Sequence, residues 1–306
     1  MVAAPFRYER VTSFEEAARA LRERGEDAKV IAGGQSLVPM LNLRIARPAW
    51  LIDINPVGAG PIQDHGGYLR LPALTRHRAI EAAEVVRRRC PILAEAAACV
   101  GNVRTRTRGT IGGSLAHADP AGELPCVAVA LGAEVTVQGP DGAREVAVGD
   151  LLVSYLTTTL APDEVVAEVR VPTLGPRSGW SFLELCRRSG DWMVVGVAAL
   201  VELDADGAVA AASVAIGGVA QRPWPVPAEV LADLLGAPPA GERLARVADG
   251  AAAMLDPDDD VHASGAYRRR MAAVLGRRAL AEAAARARGN GRPARRGSGN
   301  PKGVPR

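Results

Sequence analysis

The 306-residue sequence predicts an α+β chain of two or three domains with sizeable cores. Three observations carry that reading. Helix signals alternate with short apolar strands in the first half. Leu174-Gly-Pro-Arg-Ser-Gly179 reads as a domain boundary. Beyond it, three strand patterns follow one another before the chain turns helical. The composition is 48% hydrophobic but only 4% aromatic, so packing by Ala, Gly and Val is expected.

Ser13-Phe-Glu-Glu16 reads as a capping box, with Ser13 as N-cap and Glu16 reaching back. Phe14, Ala17, Ala18 and Leu21 then mark one helical face, which ends near Gly25. Lys29 to Ala32 is a short strand, and Trp50-Leu-Ile-Asp-Ile54 is a buried one closed by Asn55-Pro56. Residues 1–55 therefore form a small α/β unit with a loop at a strand end. In the second unit, residues 56–175, Tyr68 to Leu71 is a strand and Thr75 caps a helix to about Arg89. Pro91 suits the first turn of a helix from Ile92 to Val100, stopped by Gly101. Glu134 to Gln138, the Asp141-Gly142 turn and Arg144 to Val148 look like a hairpin. Val165 to Val171 is a strand stopped by Pro172. In residues 176–285, Phe182 to Arg187, Met193 to Leu203 and Val209 to Gly217 form a three-stranded antiparallel meander. Helices follow near Ala228 to Leu235, Glu242 to Met254 and Tyr267 to Ala287.

Residues 286–306 carry six Arg, one Lys and no acid, and read as a disordered basic tail. Removing those seven from 37 basic residues leaves 30 against 34 acidic ones, so the body is acidic despite the net charge of +3. It carries no nucleic-acid signal. No apolar run reaches the roughly 18 to 20 residues of a membrane span, and the N-terminus shows no secretory pattern, so a cytoplasmic location is expected. Cys90, Cys99, Cys126 and Cys186 are far apart and lack cluster or zinc spacing, so no metal site is expected in this chain.

Two Gly-Gly stretches draw the chemistry. In Val30-Ile-Ala-Gly-Gly-Gln-Ser-Leu-Val-Pro39, an apolar lead-in feeds Gly33-Gly34 and then the polar pair Gln35-Ser36. In Arg108-Gly-Thr-Ile-Gly-Gly-Ser-Leu-Ala-His-Ala-Asp-Pro-Ala-Gly-Glu123, the hydroxyls of Thr110 and Ser114 flank Gly112-Gly113, with Asp119 and Glu123 beyond. Adjacent glycines let amide N–H groups converge on an anion, and carboxylates can accept from sugar hydroxyls. A Gly-Gly pair is also an ordinary turn. Neither stretch is a Walker loop or the G-x-G-x-x-G of a Rossmann turn. His117 is the one histidine inside a candidate site, and a loop histidine facing solvent or backbone is the competing reading.

Ala32-Gly-Gly-Gln-Ser-Leu37, the stretch from Arg108 to Ala121, and Arg187-Arg-Ser-Gly-Asp-Trp192 stand in an order and spacing that resemble one family. It is the FAD-binding medium subunit of molybdenum hydroxylases, of the carbon monoxide dehydrogenase and xanthine dehydrogenase type. The likeness runs from about residue 5 to residue 280. It implies a two-part FAD-binding domain of the vanillyl-alcohol-oxidase (PCMH) type, then a smaller domain of three antiparallel strands with helices. It implies an oxidoreductase subunit that takes electrons from a small subunit with two [2Fe-2S] clusters, fed by a large molybdenum-cofactor subunit. The expected assembly is a dimer of heterotrimers.

By position, the resemblance implies that Ala32, Gly33, Gly34, Gln35, Ser36 and Leu37 line the FAD diphosphate together with Thr110, Ile111, Gly112, Gly113 and Ser114, through backbone N–H groups and hydroxyls. Ala116, His117 and Asp119 flank the flavin side, and Glu123 accepts from a sugar hydroxyl. Trp192 falls where the family often has an aromatic near the isoalloxazine; core packing is the other reading. Arg187 and Arg188 are a solvated pair, or they offset flavin or phosphate charge. Ser114 replaces the Asn of many relatives, and Leu183 and Glu184 stand where different branches carry Lys. Those departures bear on flavin potential and acceptor. A self-contained flavin oxidase on the same fold is the alternative, and it would need its own acid–base pocket.

Overall fold

The computed structural model describes residues 3–289. Its first unit is a three-stranded parallel sheet of β1 (Arg7–Arg10), β2 (Ala28–Ile31) and β3 (Trp50–Asp53), with β3 central. Helix α1 (Phe14–Arg24) covers it, burying Ala17, Ala20 and Leu21 against Ile52 and Ile54. The cap is as the sequence suggests in part. Ser13 accepts from the Glu16 N–H at 3.1 Å, but the Glu16 carboxylate reaches Thr12, one residue farther back, at N–H and hydroxyl. Strand β1 was not anticipated: four residues of mixed exposure give little alternation to read. A short helix α2 (Leu37–Asn42) follows β2.

The second unit is an antiparallel sheet in the order β4 (Gln63–Asp64), β5 (Tyr68–Pro72), β10 (Val165–Pro172), β6 (Glu134–Gly139), β7 (Gly142–Ala147). Between its strands run β8 (Leu152–Ser154) and β9 (Thr157–Thr158), a small hairpin of their own. Helices α3 (His77–Ala82), α4 (Glu84–Arg89), α5 (Pro91–Cys99), α6 (Val103–Arg108), α7 (Ile111–His117), α8 (Glu123–Leu131) and α9 (Val148–Leu151) pack over the sheet. The single helix expected from Thr75 to Arg89 is two, because Ala83 is extended between them (ψ 123°). Helix α8 escaped the sequence reading because its residues are apolar all round, without a stripe. It is buried on nearly every side.

The third unit is the meander β11 (Ser178–Cys186), β12 (Met193–Leu203) and β13 (Val209–Gly217), to which β14 (Trp224–Pro225) adds a two-residue fourth strand. One face of β12 sends Met193 and Ala198 into the second unit's core. The other sends Val195, Val197, Ala199 and Val201 against helices α11 (Gly241–Ala253) and α12 (Gly265–Ala287), while a short α10 (Ala228–Leu231) lies ahead of them. Burial on both faces explains the unbroken apolar run that marks β12 in the sequence.

Arg286 corrects the boundary expected for the tail. It lies in the last turn of α12, its side chain 3% exposed, donating to Glu282 at 2.7 Å and to the Trp180 carbonyl at 2.8 Å. It also pairs with Glu95 of α5 at 3.2 Å, tying the third unit to the second. Residues 290–306, the rest of the expected tail, lie outside the described residues. Among the described residues no helix is long and apolar enough to cross a membrane, and no cluster of His, Cys, Asp or Glu could hold a metal ion. All four cysteines are free thiols.

Candidate functional site

Parallel strands put their following loops on one edge, outside their carboxyl ends. Here Ile31 and Asp53 end neighbouring strands, so residues 32–36 and Asn55 meet there. Ala32 to Gln35 and Asn55 line a cleft of about 560 Å³ together with Tyr8, Arg76 and Arg108. Gly34 has φ +72°, a left-handed value that suits glycine. Among the described residues, the N–H groups of Gly33, Gly34, Gln35 and Ser36 donate to no protein acceptor. Free amides in one short loop beside a cleft fit an anion.

The second stretch is built differently from expectation. Thr110 to His117 is a helix start rather than an open turn, and neither Gly112 nor Gly113 has positive φ. Its amides are already used. Ile111 N–H donates to the Thr75 carbonyl at 3.1 Å and Gly112 N–H to Ala73 at 2.9 Å. Gly113 N–H donates to the Thr110 hydroxyl at 3.2 Å, and Ser114 N–H to the Thr110 carbonyl at 3.0 Å. Of the two stretches expected to offer amides, only residues 33–36 have N–H groups without a protein acceptor among the described residues. Gly112 is instead a packing glycine: a Cβ there would stand 2.5 Å from that of Ala73. The two stretches do meet, since a Cβ on Gly33 would stand 2.3 Å from the Arg108 carbonyl oxygen.

What the second stretch offers is side chains. Ser114 Oγ lies 3.0 Å from His77 Nε2, and His77 is buried with its Nδ1 unpartnered. Burial holds that imidazole down to about 4, so it is neutral at neutral pH. Which of the two donates, the Ser114 hydroxyl or the His77 Nε2–H, depends on the imidazole tautomer; in either case the contact fixes the serine hydroxyl beside the ring.

Farther along, Ala116 is exposed and His117 half-buried, with burial lowering the His117 pKa and Asp119 opposing that. Asp119 accepts from the Ala121 N–H at 2.9 Å. Glu123, in the first turn of α8, is 9% exposed. Burial pushes its carboxyl up to about 8, with Glu184 and Asp119 adding to the shift. It is mostly protonated at neutral pH and can donate as well as accept. Trp192 is 72% exposed, which removes the core-packing reading, and it is not among the residues lining the cleft. Arg187 and Arg188 are also exposed.

The cleft thus gathers Ala32 to Gln35 of the expected residues, while Thr110 to Glu123 lie along the neighbouring helices. Tyr8, Asp53, Asn55, Arg76, His77 and Arg108 were not anticipated. A charged residue inside the otherwise apolar run Trp50–Ile54 was the signal for Asp53, and Arg108 stood at the head of the second Gly-Gly stretch. Asp53 is buried and accepts from the Tyr8 hydroxyl and from the Asn55 backbone N–H at 2.9 Å. Burial works to raise its carboxyl, but those hydrogen bonds outweigh it and hold it below the usual range.

Residues 4–174 match the family described as the FAD binding domain in molybdopterin dehydrogenase, and residues 180–283 match the CO dehydrogenase flavoprotein C-terminal domain. The chain is 42% identical over 285 residues to the 6-hydroxypseudooxynicotine dehydrogenase complex subunit alpha of Paenarthrobacter nicotinovorans, covering 92% of this chain and 96% of that one. A carbon monoxide dehydrogenase structure from Hydrogenophaga pseudoflava superposes with a TM-score of 0.89 at 35% identity, over 94% of this chain and 99% of the other. Quinoline 2-oxidoreductase from Pseudomonas putida 86 gives 0.88 at 32%, with the same coverage. Free amides beside two arginines that form no ion pair among the described residues suit a diphosphate, so the residues present fit FAD. The chain belongs to the FAD-binding medium subunits of the molybdenum hydroxylases, the carbon monoxide dehydrogenase type of oxidoreductase subunit.

Proposed function

We propose that this chain is the FAD-carrying electron-transfer subunit of a multisubunit molybdenum hydroxylase. It takes electrons from [2Fe-2S] clusters on a small partner subunit, fed by a large molybdenum-cofactor subunit, and passes them to a terminal acceptor. The observation that supports this best is likeness over nearly the whole chain, in both domains, to medium chains of such complexes. FAD would supply the ability to take up electrons one at a time and give them up as a pair, which suits a junction between one-electron clusters and a two-electron acceptor.

The chain's part is binding, orientation and exclusion of water. The amides of residues 33–36 hold the diphosphate, with the Ser114 hydroxyl, fixed beside His77, as a further polar contact. Ala32 and Leu37 flank that loop, and Thr110, Ile111, Gly112 and Gly113 set the close approach between the stretches. Glu123 meets a sugar hydroxyl as a neutral carboxyl. Ala116, His117, Asp119 and Trp192 bound the flavin's reactive side.

Co-expression with the genes for a cluster-bearing and a molybdenum-bearing subunit tests the assembly. The expected product is a dimer of heterotrimers in which the flavin, iron and molybdenum contents match the subunits. A chain that stays alone and oxidises an organic substrate would favour the self-contained oxidase.

A further inference from the structure

We propose that Arg76 and Arg108 are the cationic half of the diphosphate site and set a preference for FAD over a flavin that lacks the diphosphate. This rests on the FAD reading above and adds Arg76, which lies outside the quoted motifs, and the side chain of Arg108, which heads the second of them.

Neither guanidinium forms an ion pair among the described residues, although most buried or half-buried arginines in the chain do. Arg76 donates to two neutral acceptors, the Arg108 carbonyl at 2.5 Å and Asn55 Oδ1 at 2.7 Å. The Arg108 side chain lies exposed at the end of α6, with no hydrogen-bond partner among the described residues. Both line the same cleft as the free amides of Gly33, Gly34 and Gln35. Asp53, the nearby carboxylate, is engaged by Tyr8, Asn55 and Arg10 rather than by either guanidinium, and its charge offsets that of Arg76 only through space. Burial lowers the Arg76 pKa, and the Arg108 charge lowers it further.

Two cations held side by side, with no ion pair of their own among the described residues, raise the energy of the empty site and favour an anion entering it. A diphosphate brings two negative charges and oxygens that accept from both guanidinium forks. The chain Tyr8–Asp53–Asn55–Arg76 fixes the half-buried guanidinium by hydrogen bonds at each step. Asp53 is thus a positioning residue for the cation, and Asn55 the link between them. Riboflavin lacks the diphosphate and gains nothing from either arginine.

The test is fluorescence titration of the flavin-free full chain with FAD and with riboflavin, at several salt concentrations. Arg108→Ala, on an exposed side chain, should weaken FAD binding about 10-fold or more, leave riboflavin affinity unchanged and flatten the salt dependence. Arg108→Lys should restore part of the loss, and Arg76→Ala should repeat the pattern. If the parent binds FAD and both alanine variants match it in affinity and salt slope, the arginine role is overturned while the FAD reading stands. An equal loss for FAD and riboflavin also overturns it, as general disruption. A parent that binds neither flavin sinks the underlying reading instead.

Discussion

Replacing Gly33 with Ala places a single methyl where the two Gly-Gly stretches touch. The added Cβ would lie 2.3 Å from the Arg108 carbonyl oxygen and 2.9 Å from Gly109 Cα. Ordinary carbon–oxygen contact begins about 1 Å farther out. Both neighbours are backbone, so no side chain can swing away, and residues 33–36 must part from residues 108–110. Overpacking of that kind costs about 1–3 kcal/mol. In a chain of this size that is a fall of roughly 2–10 °C in the unfolding midpoint. The same displacement separates the free amides from Arg108, so FAD affinity should drop about 10- to 100-fold. Gly149→Ala is the control, since its Cβ meets nothing within 4 Å and its φ is not positive. The assays are thermal unfolding of the flavin-free chain and titration with FAD. If Gly33→Ala unfolds and binds FAD like the parent, the contact between the stretches does not form the cradle.

Three further outcomes follow from buried groups. Glu123 has a folded pKa of about 8, above its unfolded value, so the folded chain holds that proton more tightly. Stability therefore falls as pH rises from about 4.5 through about 8, by roughly 5 kcal/mol or less. Glu123→Gln should remove most of that decline in the flavin-free chain, and a parallel pH profile would refute the protonated carboxyl. His77, held down to about 4, has the opposite sign. Its contribution is present above its unfolded pKa, near 6.5, and is lost as pH falls from there through about 4; His77→Gln should flatten that limb in an acid-unfolding series. Arg286→Ala removes a guanidinium shared by Glu95, Glu282 and Trp180 and should cost about 3–5 kcal/mol, read by urea unfolding; a change under 1 kcal/mol would show that the clasp adds little.

Patterned segments were legible from sequence because their period or continuity survives in one dimension. Trp50–Asp53 and Met193–Leu203 read as strands because burial on both faces leaves runs of apolar residues. The first Gly-Gly stretch was legible as a turn, with Gly34 at positive φ and the loop beside the cleft. The second was legible as a glycine signal but not as a helix start, because two glycines lower helix propensity where Thr110 supplies the cap. Which amides are already spent depends on the Ala73 and Thr75 carbonyls, which chain topology places beside them. The Arg76–Arg108 pair was invisible for the same reason. The two are 32 positions apart and meet through tertiary packing, with no period or motif to announce it.

Electron flow through the flavin is tested most directly by anaerobic stopped-flow mixing of the oxidised, FAD-loaded chain with pre-reduced [2Fe-2S] subunit. Loss of the flavin absorbance should keep pace with cluster reoxidation and should require that subunit. Organic substrates of molybdenum hydroxylases, mixed with the isolated chain, should leave the flavin oxidised. Rapid reduction by such a substrate in the isolated chain, or a flavin that stays oxidised beside reduced clusters, would contradict its place as the electron junction.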